Sequence, residues 1–95
     1  MIAMTEKEFQ QLQVPVFPYS DFGKHENPTS IGYFVKNTIT RCQLNVWFCK
    51  LREEATITLF NPYETEMYQH EEIFRTKLIK KLGEALVQFV NIYLR

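Results

Sequence analysis

Three segments between residues 31 and 60 alternate apolar and polar side chains with a period of two, and this pattern constrains the fold most strongly. They cover residues 31–39, 42–51 and 55–60, and β-branched and aromatic residues dominate them, as is typical of strands. The connections at residues 40–41 and 52–54 have the length of hairpin loops. The sequence therefore predicts an antiparallel meander.

The alternation divides the side chains of this sheet between two faces of different character. One face is mainly apolar, is expected to pack against a helix, and consists of Tyr33, Val35, Ile39, Leu44, Val46, Phe48, Ile57 and Leu59. The second face mixes aromatic with small polar side chains and consists of Phe34, Lys36, Thr38, Gln43, Asn45, Trp47, Thr56, Thr58 and Phe60. Because aromatic anchors dominate binding energies at interfaces, Phe34, Trp47 and Phe60 are predicted to bind a partner. The alternative is that the N-terminal segment, residues 14–22, covers this face.

Helices are predicted on both sides of the meander. Thr5 and Glu8 form a capping-box pattern that predicts a short helix over residues 5–12. In residues 77–95 the polar positions recur at spacings of three and four, which predicts a long amphipathic helix. Gly83 lies inside it, costs about 1 kcal/mol relative to Ala and indicates a kink or break. The polar segment 19–30 is predicted to be a loop.

The segment between the third strand and the C-terminal helix has two interpretations. Asn61, Pro62 and Glu64 have the pattern of a helix N-terminus, and in this interpretation one helix runs from Pro62 almost to residue 95. Alternatively residues 63–68 form a fourth strand and the helix begins near His70, which we prefer. The expected fold is α+β in a single domain over residues 1–95: a three- or four-stranded antiparallel meander packed on a long C-terminal helix, with a short N-terminal helix.

The end of the C-terminal helix is predicted to be apolar on nearly every side. Between residues 86 and 94 only Gln88 and Asn91 are polar. A helix of this composition must be buried on most sides, and a small sheet covers only one of them. Phe89 and Tyr93 are therefore further candidates for partner binding, and a homodimer is expected.

The charge balance favours a protein partner over a nucleic acid. Eleven basic and eleven acidic residues give a net charge of zero, whereas domains that grip duplex phosphate usually carry a basic excess. The alternative is a nucleic-acid-binding regulator that uses the aromatic face. Its candidate phosphate contacts are Lys36, Arg75, Lys77, Lys80 and Lys81.

A short aromatic segment bears on that alternative. Gly32-Tyr33-Phe34-Val35-Lys36 resembles the aromatic motif of the RNA recognition motif family. It lacks that motif's small residue between the aromatics and its preceding basic residue. The resemblance implies that bases would stack on the aromatic side chains.

Catalytic chemistry has little support in the sequence. His70-Glu71-Glu72 is the best acid–base cluster and His25-Glu26 the next. There is no HExxH or paired CxxC pattern, and the three glycines at 23, 32 and 83 form no phosphate-binding loop. We therefore expect a chain that is not an enzyme and uses no cofactor or metal.

The spacing of the cysteines and the hydropathy of the chain bear on its cellular location. Cys42 and Cys49 lie seven residues apart on one predicted strand, about 23 Å in extended chain, so they are not expected to pair. No signal-peptide pattern opens the sequence, and no apolar run approaches the roughly 18 residues of a membrane span. The sequence thus predicts a cytoplasmic, non-catalytic protein–protein interaction domain, either a regulator, an inhibitor or an assembly component.

Overall fold

The computed structural model describes residues 2–63 and 70–95. The strands in these residues form one sheet, and the helices lie on one side of it. In chain order the elements are α1 (Glu6–Gln10), β1 (Ser20–Asn27), β2 (Ser30–Asn37), β3 (Gln43–Cys49), β4 (Glu54–Phe60), β5 (His70–Thr76) and α2 (Ile79–Phe89), which continues as a π-helix over Val90–Leu94. The described strands pair antiparallel in the order β1-β2-β3-β4-β5. The predicted α+β class and antiparallel meander are confirmed, but the described residues form a sheet of five strands and not three or four.

Strand β1 lies in the segment 19–30 that the sequence predicted as a loop, and that prediction is wrong. It pairs with β2 over its whole length, from Ser20 opposite Asn37 to Asn27 opposite Ser30. The Asn27 side-chain oxygen closes the turn by accepting hydrogen bonds from the N–H groups of Thr29 and Ser30 at 3.0 and 2.8 Å. Most side chains of this edge strand are exposed on both faces, so it needs no apolar alternation.

Strand β5 overturns the predicted start of the C-terminal helix near His70. Phe74 of β5 pairs with Ile57 of β4 and packs against the core, and the register shifts between Ile57 and Thr58. Helix α2 begins only at Ile79. Since residues 70–76 are a strand, a single helix running on from Pro62 is also wrong. The fourth strand predicted over residues 63–68 falls almost entirely outside the described residues.

The core lies between the helices and the predicted apolar face of the sheet. Leu44, Val46 and Phe48 of β3 are buried as predicted, whereas Ile39 lies beyond the end of β2 and is exposed. The helices and the N-terminal segment contribute the buried side chains of Met4, Phe9, Phe17, Leu82, Ala85, Leu86, Val90 and Leu94.

Helix α1 begins as predicted, with Thr5 as its N-cap. The N–H of Glu8 donates to Thr5 Oγ1 and the N–H of Thr5 donates to Glu8 Oε1, both at 3.1 Å. These two bonds complete the capping box.

The N-terminal segment packs on the core face of the sheet. The ring of Phe9 stands 5.3 Å from those of both Tyr33 and Phe48, and the Tyr33 hydroxyl donates to the carbonyl oxygen of Gln10 at 3.0 Å. Phe17 is buried in the same core. The interpretation in which residues 14–22 cover the second face is therefore wrong.

Gly83 was predicted to mark a kink or a break, and helix α2 continues through it without a break. Its π-helical continuation ends beside β2, where Asn37 Nδ2 donates to the carbonyl oxygen of Leu94 at 2.7 Å. Within residues 2–63 and 70–95, no helix combines the length and the apolar character that crossing a membrane requires.

Candidate interaction face

The sheet face opposite the core, here called the open face, is not covered by α1 or α2. The strand register places its side chains in rows that cross the strands. One row consists of His25, Gly32, Trp47, Thr56 and Arg75. The next consists of Gly23, Phe34, Asn45, Thr58 and Glu72, and the third of Asp21, Lys36, Gln43, Phe60 and His70. Phe34, Trp47 and Phe60 therefore share one face, as predicted.

An aromatic cluster of His25, Phe34 and Trp47 occupies one half of the open face. The His25 ring lies 5.1 Å from that of Phe34 and 5.5 Å from that of Trp47, measured between centroids. A Cβ atom added to Gly32 would come within 2.8 Å of the Trp47 ring, and one added to Gly23 within 2.5 Å of the Phe34 ring. Both rings thus lie across a glycine of the neighbouring strand and are half-buried.

Sequence reasoning missed His25 as a member of this cluster. It placed His25 in a loop, whereas β1 sets it directly opposite Gly32. The available signal was Asn27-Pro28-Thr29-Ser30, a turn pattern between two segments of equal length.

The second histidine lies at the opposite side of the face. His70 stacks on Phe60 with 4.6 Å between ring centroids. Its predicted acid–base partners are divided, since Glu71 pairs with Leu59 of the core face and Glu72 lies on the open face. Among the described residues, no group of three or more potential ligands is placed to hold a metal ion.

An ion-pair network occupies the β4–β5 side of the open face. Arg75 Nη1 lies 2.6 Å from Glu54 Oε1, and Arg75 Nη2 lies 2.6 Å from Glu72 Oε1. The hydrogen bond from Arg75 lowers the pKa of the Glu72 carboxyl, and the two carboxylates raise the pKa of Arg75. With Lys36 and Asp21 included, the described strands place two cations and three carboxylates on this face. Its charge is therefore mixed and not basic.

An open depression lies beside this network. It has a volume of about 520 Å³, and its lining includes Trp47, Cys49, Leu51 and Arg52. The Arg52 side chain, together with backbone N–H groups of the turn, lowers the pKa of the Cys49 thiol. Leu51 is 83 % exposed, so the depression presents apolar surface next to the indole of Trp47.

The predicted basic cluster is divided between two elements. Arg75 lies on β5 and bonds to carboxylates, while Lys77, Lys80 and Lys81 are exposed around the start of α2. Within the segment Gly32–Lys36, Tyr33 is buried on the core face, and burial raises the pKa of its hydroxyl. The segment thus brings one of its two aromatic rings to the open face.

The candidate residues of the C-terminal helix lie on the other side of the sheet. Phe89 is half-buried, and its ring centroid stands 6.0 Å from those of Phe74 and Tyr93. Val87, Ile92 and Tyr93 are exposed. The two surfaces predicted to bind partners are therefore separate.

Both cysteines are free, as predicted, and both are partly buried.

Comparison of the chain with protein-family models, curated proteins and solved structures finds no match.

Proposed function

We propose that this chain is a non-catalytic protein–protein interaction domain, a homodimeric regulator, inhibitor or assembly component that binds its partner through the open face. The observation that carries the proposal is the gathering of Phe34, Trp47 and Phe60 on a sheet face that neither helix covers. The described part of the N-terminal segment packs on the opposite face.

The open face has properties that favour a protein ligand. Its large rings are held against neighbouring glycines and a histidine, so little side-chain entropy remains to be lost on binding. Around them stand short polar side chains such as Asn45, Thr56 and Thr58, which can pair with a partner's polar groups. An aromatic centre with a polar surround is typical of protein interfaces.

A nucleic-acid partner is the weaker proposal. Phe34 and Trp47 could stack on bases, and Lys36 stands in the next row. However, three carboxylates share the face, and Arg75 already bonds to two of them. Phosphate would therefore meet repulsion at the β4–β5 side. Salt-sensitive binding of a single-stranded oligonucleotide, lost in a Lys36→Glu variant, would support this alternative and contradict ours.

The test compares three variants of the full chain in affinity capture from cells that express it. Trp47→Glu removes the central ring, and Thr58→Arg blocks the middle of the open face without removing a ring. Val87→Glu is the matched control, because Val87 is an exposed apolar residue of α2 outside the open face. Circular dichroism first establishes that each variant folds.

The proposal expects a protein that binds the wild type and Val87→Glu but neither open-face variant. Its binding is then measured by calorimetry with purified components, where we expect at least a tenfold loss for Thr58→Arg. A partner lost only with Val87→Glu would assign the interface to α2. Partners equally retained by all the variants would contradict the proposal.

A further inference from the structure

Strand β1 forms an edge of the sheet, and its outward backbone groups can be identified. The N–H of Thr38 donates to the carbonyl oxygen of Tyr19 at 2.8 Å, which makes these opposed residues a hydrogen-bonded pair. Such pairs alternate along an antiparallel ladder, so the odd-numbered residues of β1 bond to β2. The backbone groups of Phe22, Lys24 and Glu26 consequently point away from the sheet. No other described strand pairs with this edge.

The side chains at these positions are exposed and of complementary character. Lys24 has no carboxylate within ion-pair distance in the described part of the chain, and its Nζ lies 5.9 Å from the centroid of the Tyr33 ring. Glu26 lies 3.2 Å from Lys50 Nζ, but its side chain is 69 % exposed and can accept a second cation. Phe22 is 55 % exposed.

We propose that this edge binds β1 of a second copy of the chain, antiparallel about a two-fold axis at His25. This register places Lys24 of each copy opposite Glu26 of the other, so that both of these symmetry-related pairs have opposite charges, and it places the two His25 residues opposite each other on the axis. The two residues of each pair also exchange their outward backbone hydrogen bonds. Phe22 comes beside Pro28 of the second copy, where the proline ends the ladder because it has no N–H to donate.

The neighbouring registers are less favourable. An axis at Lys24 places this lysine opposite its own copy, and like charges directly opposed are destabilising. An axis at Gly23 places Lys24 opposite Phe22, which leaves both lysines and both glutamates without an opposite charge. Charge complementarity therefore selects the axis at His25.

The pairing rests on the homodimer of the proposed function and assigns the contact between its two copies to the β1 edge. It joins two sheets edge to edge and places the two open faces side by side. His25 of each copy stands at the seam, stacked on its own Trp47. The partner-binding surface would therefore extend across both copies.

The test is sedimentation velocity of the full chain over a range of concentrations, with charge-reversal variants. Lys24→Glu and Glu26→Lys each make two repulsive pairs, and we expect each to weaken dimerisation roughly tenfold or more. The double variant, Lys24→Glu with Glu26→Lys, restores the complementarity and is expected to return the dissociation constant to within about threefold of wild type. Glu26→Lys also breaks the ion pair between Glu26 and Lys50 within one copy, and Lys50→Gln is the control for that loss.

A substitution that removes a backbone hydrogen-bond donor tests the edge pairing independently of the charge pairs. Lys24→Pro removes an outward N–H and leaves the bonds between β1 and β2, so we expect a folded monomer. A wild-type monomer at all concentrations would overturn both this pairing and the homodimer. A dimer that survives Lys24→Pro and both reversals but is lost in Thr58→Arg would overturn the edge pairing alone and assign the contact between copies to the open face.

Discussion

The indole of Trp47 lies directly over the α-carbon of Gly32 on the neighbouring strand, 2.8 Å from where a Cβ would stand. The strand register makes these two residues opposed neighbours. The glycine therefore allows the ring to lie across β2 and reach His25 on β1. This packing of an aromatic residue over a cross-strand glycine gives the open face its aromatic centre.

The glycines of the sheet and of the helix are expected to respond oppositely to alanine. Gly32→Ala would displace Trp47 and also approach the Val46 carbonyl oxygen at 2.9 Å, so it should lower the free energy of unfolding by about 1–3 kcal/mol. Gly83→Ala meets only Leu12, at 3.9 Å, and should raise it by about 0.5–1 kcal/mol through helix propensity. Urea unfolding measures both. A neutral Gly32→Ala would mean that the indole does not need this position.

The ion pair between Arg75 and Glu72 predicts a pH dependence of stability. Arg75 lowers the pKa of the Glu72 carboxyl from its ordinary value of 4.5, so the charged form is favoured in the folded state. The resulting stabilisation is fully present above that value and is lost as the pH falls through the lower pKa of the folded state. Unfolding of wild type and Glu72→Gln should therefore differ at pH 7 and converge once the pH has fallen below the lowered pKa of Glu72 in the folded state.

The neighbouring Glu71→Gln is the control for the Glu72 prediction, since Glu71 lies on the other side of β5 and has no ion pair among the described residues. A Glu72→Gln difference from wild type that is independent of pH would contradict the role given to this carboxylate.

The two cysteines should differ in reactivity. The Arg52 side chain lowers the pKa of the Cys49 thiol, so a larger fraction of Cys49 is thiolate near neutral pH. Iodoacetamide should alkylate Cys49 several-fold faster than Cys42 at pH 7.5, by mass spectrometry of intermediate time points. Arg52→Gln should remove most of the difference, and equal rates in the wild type would refute the prediction.

The start of α2 is electrostatically unfavourable. Its first turn contains Lys80 and Lys81 but no acidic residue, and no side chain caps it at Leu78. Lys81→Glu should therefore raise the free energy of unfolding by about 0.5 kcal/mol, and Lys81→Gln by about half of that. Thermal unfolding at low and at moderate salt checks the cause, because the gain should shrink as salt screens the helix dipole.

The predictable part of the fold was the part with one buried face. In β2, β3 and β4 every second side chain enters the core, so the period of two was visible in the sequence and placed Phe34, Trp47 and Phe60 together. The same reasoning could not find β1, because an edge strand exposed on both faces has no such period. His25 was missed for that reason.

The acidic start of β5 was misleading in another way. His70, Glu71 and Glu72 are exposed and precede the bases of the next segment, which is the charge order of a helix. The strand is held instead by tertiary contacts, with Phe74 packed on Phe89 and paired with Ile57. Such pairing between segments distant in sequence outweighs local preference and is not visible in a local pattern.

The order of the strands along the sheet equals their order along the chain, and this has a consequence for how the chain folds. From β1 to β4 each strand can add to its predecessor by closing a connection of two to five residues, which keeps the entropy cost of these steps low. The hydrogen bond of Asn37 to Leu94 instead joins residues that are 57 positions apart. Contacts of this kind are expected to form after the rate-limiting step. Asn37→Asp removes the donor to Leu94 but keeps the side-chain oxygen that accepts from the N–H groups of Ile39 and Thr40. It should therefore speed unfolding and leave the refolding rate nearly unchanged, as stopped-flow measurements would show.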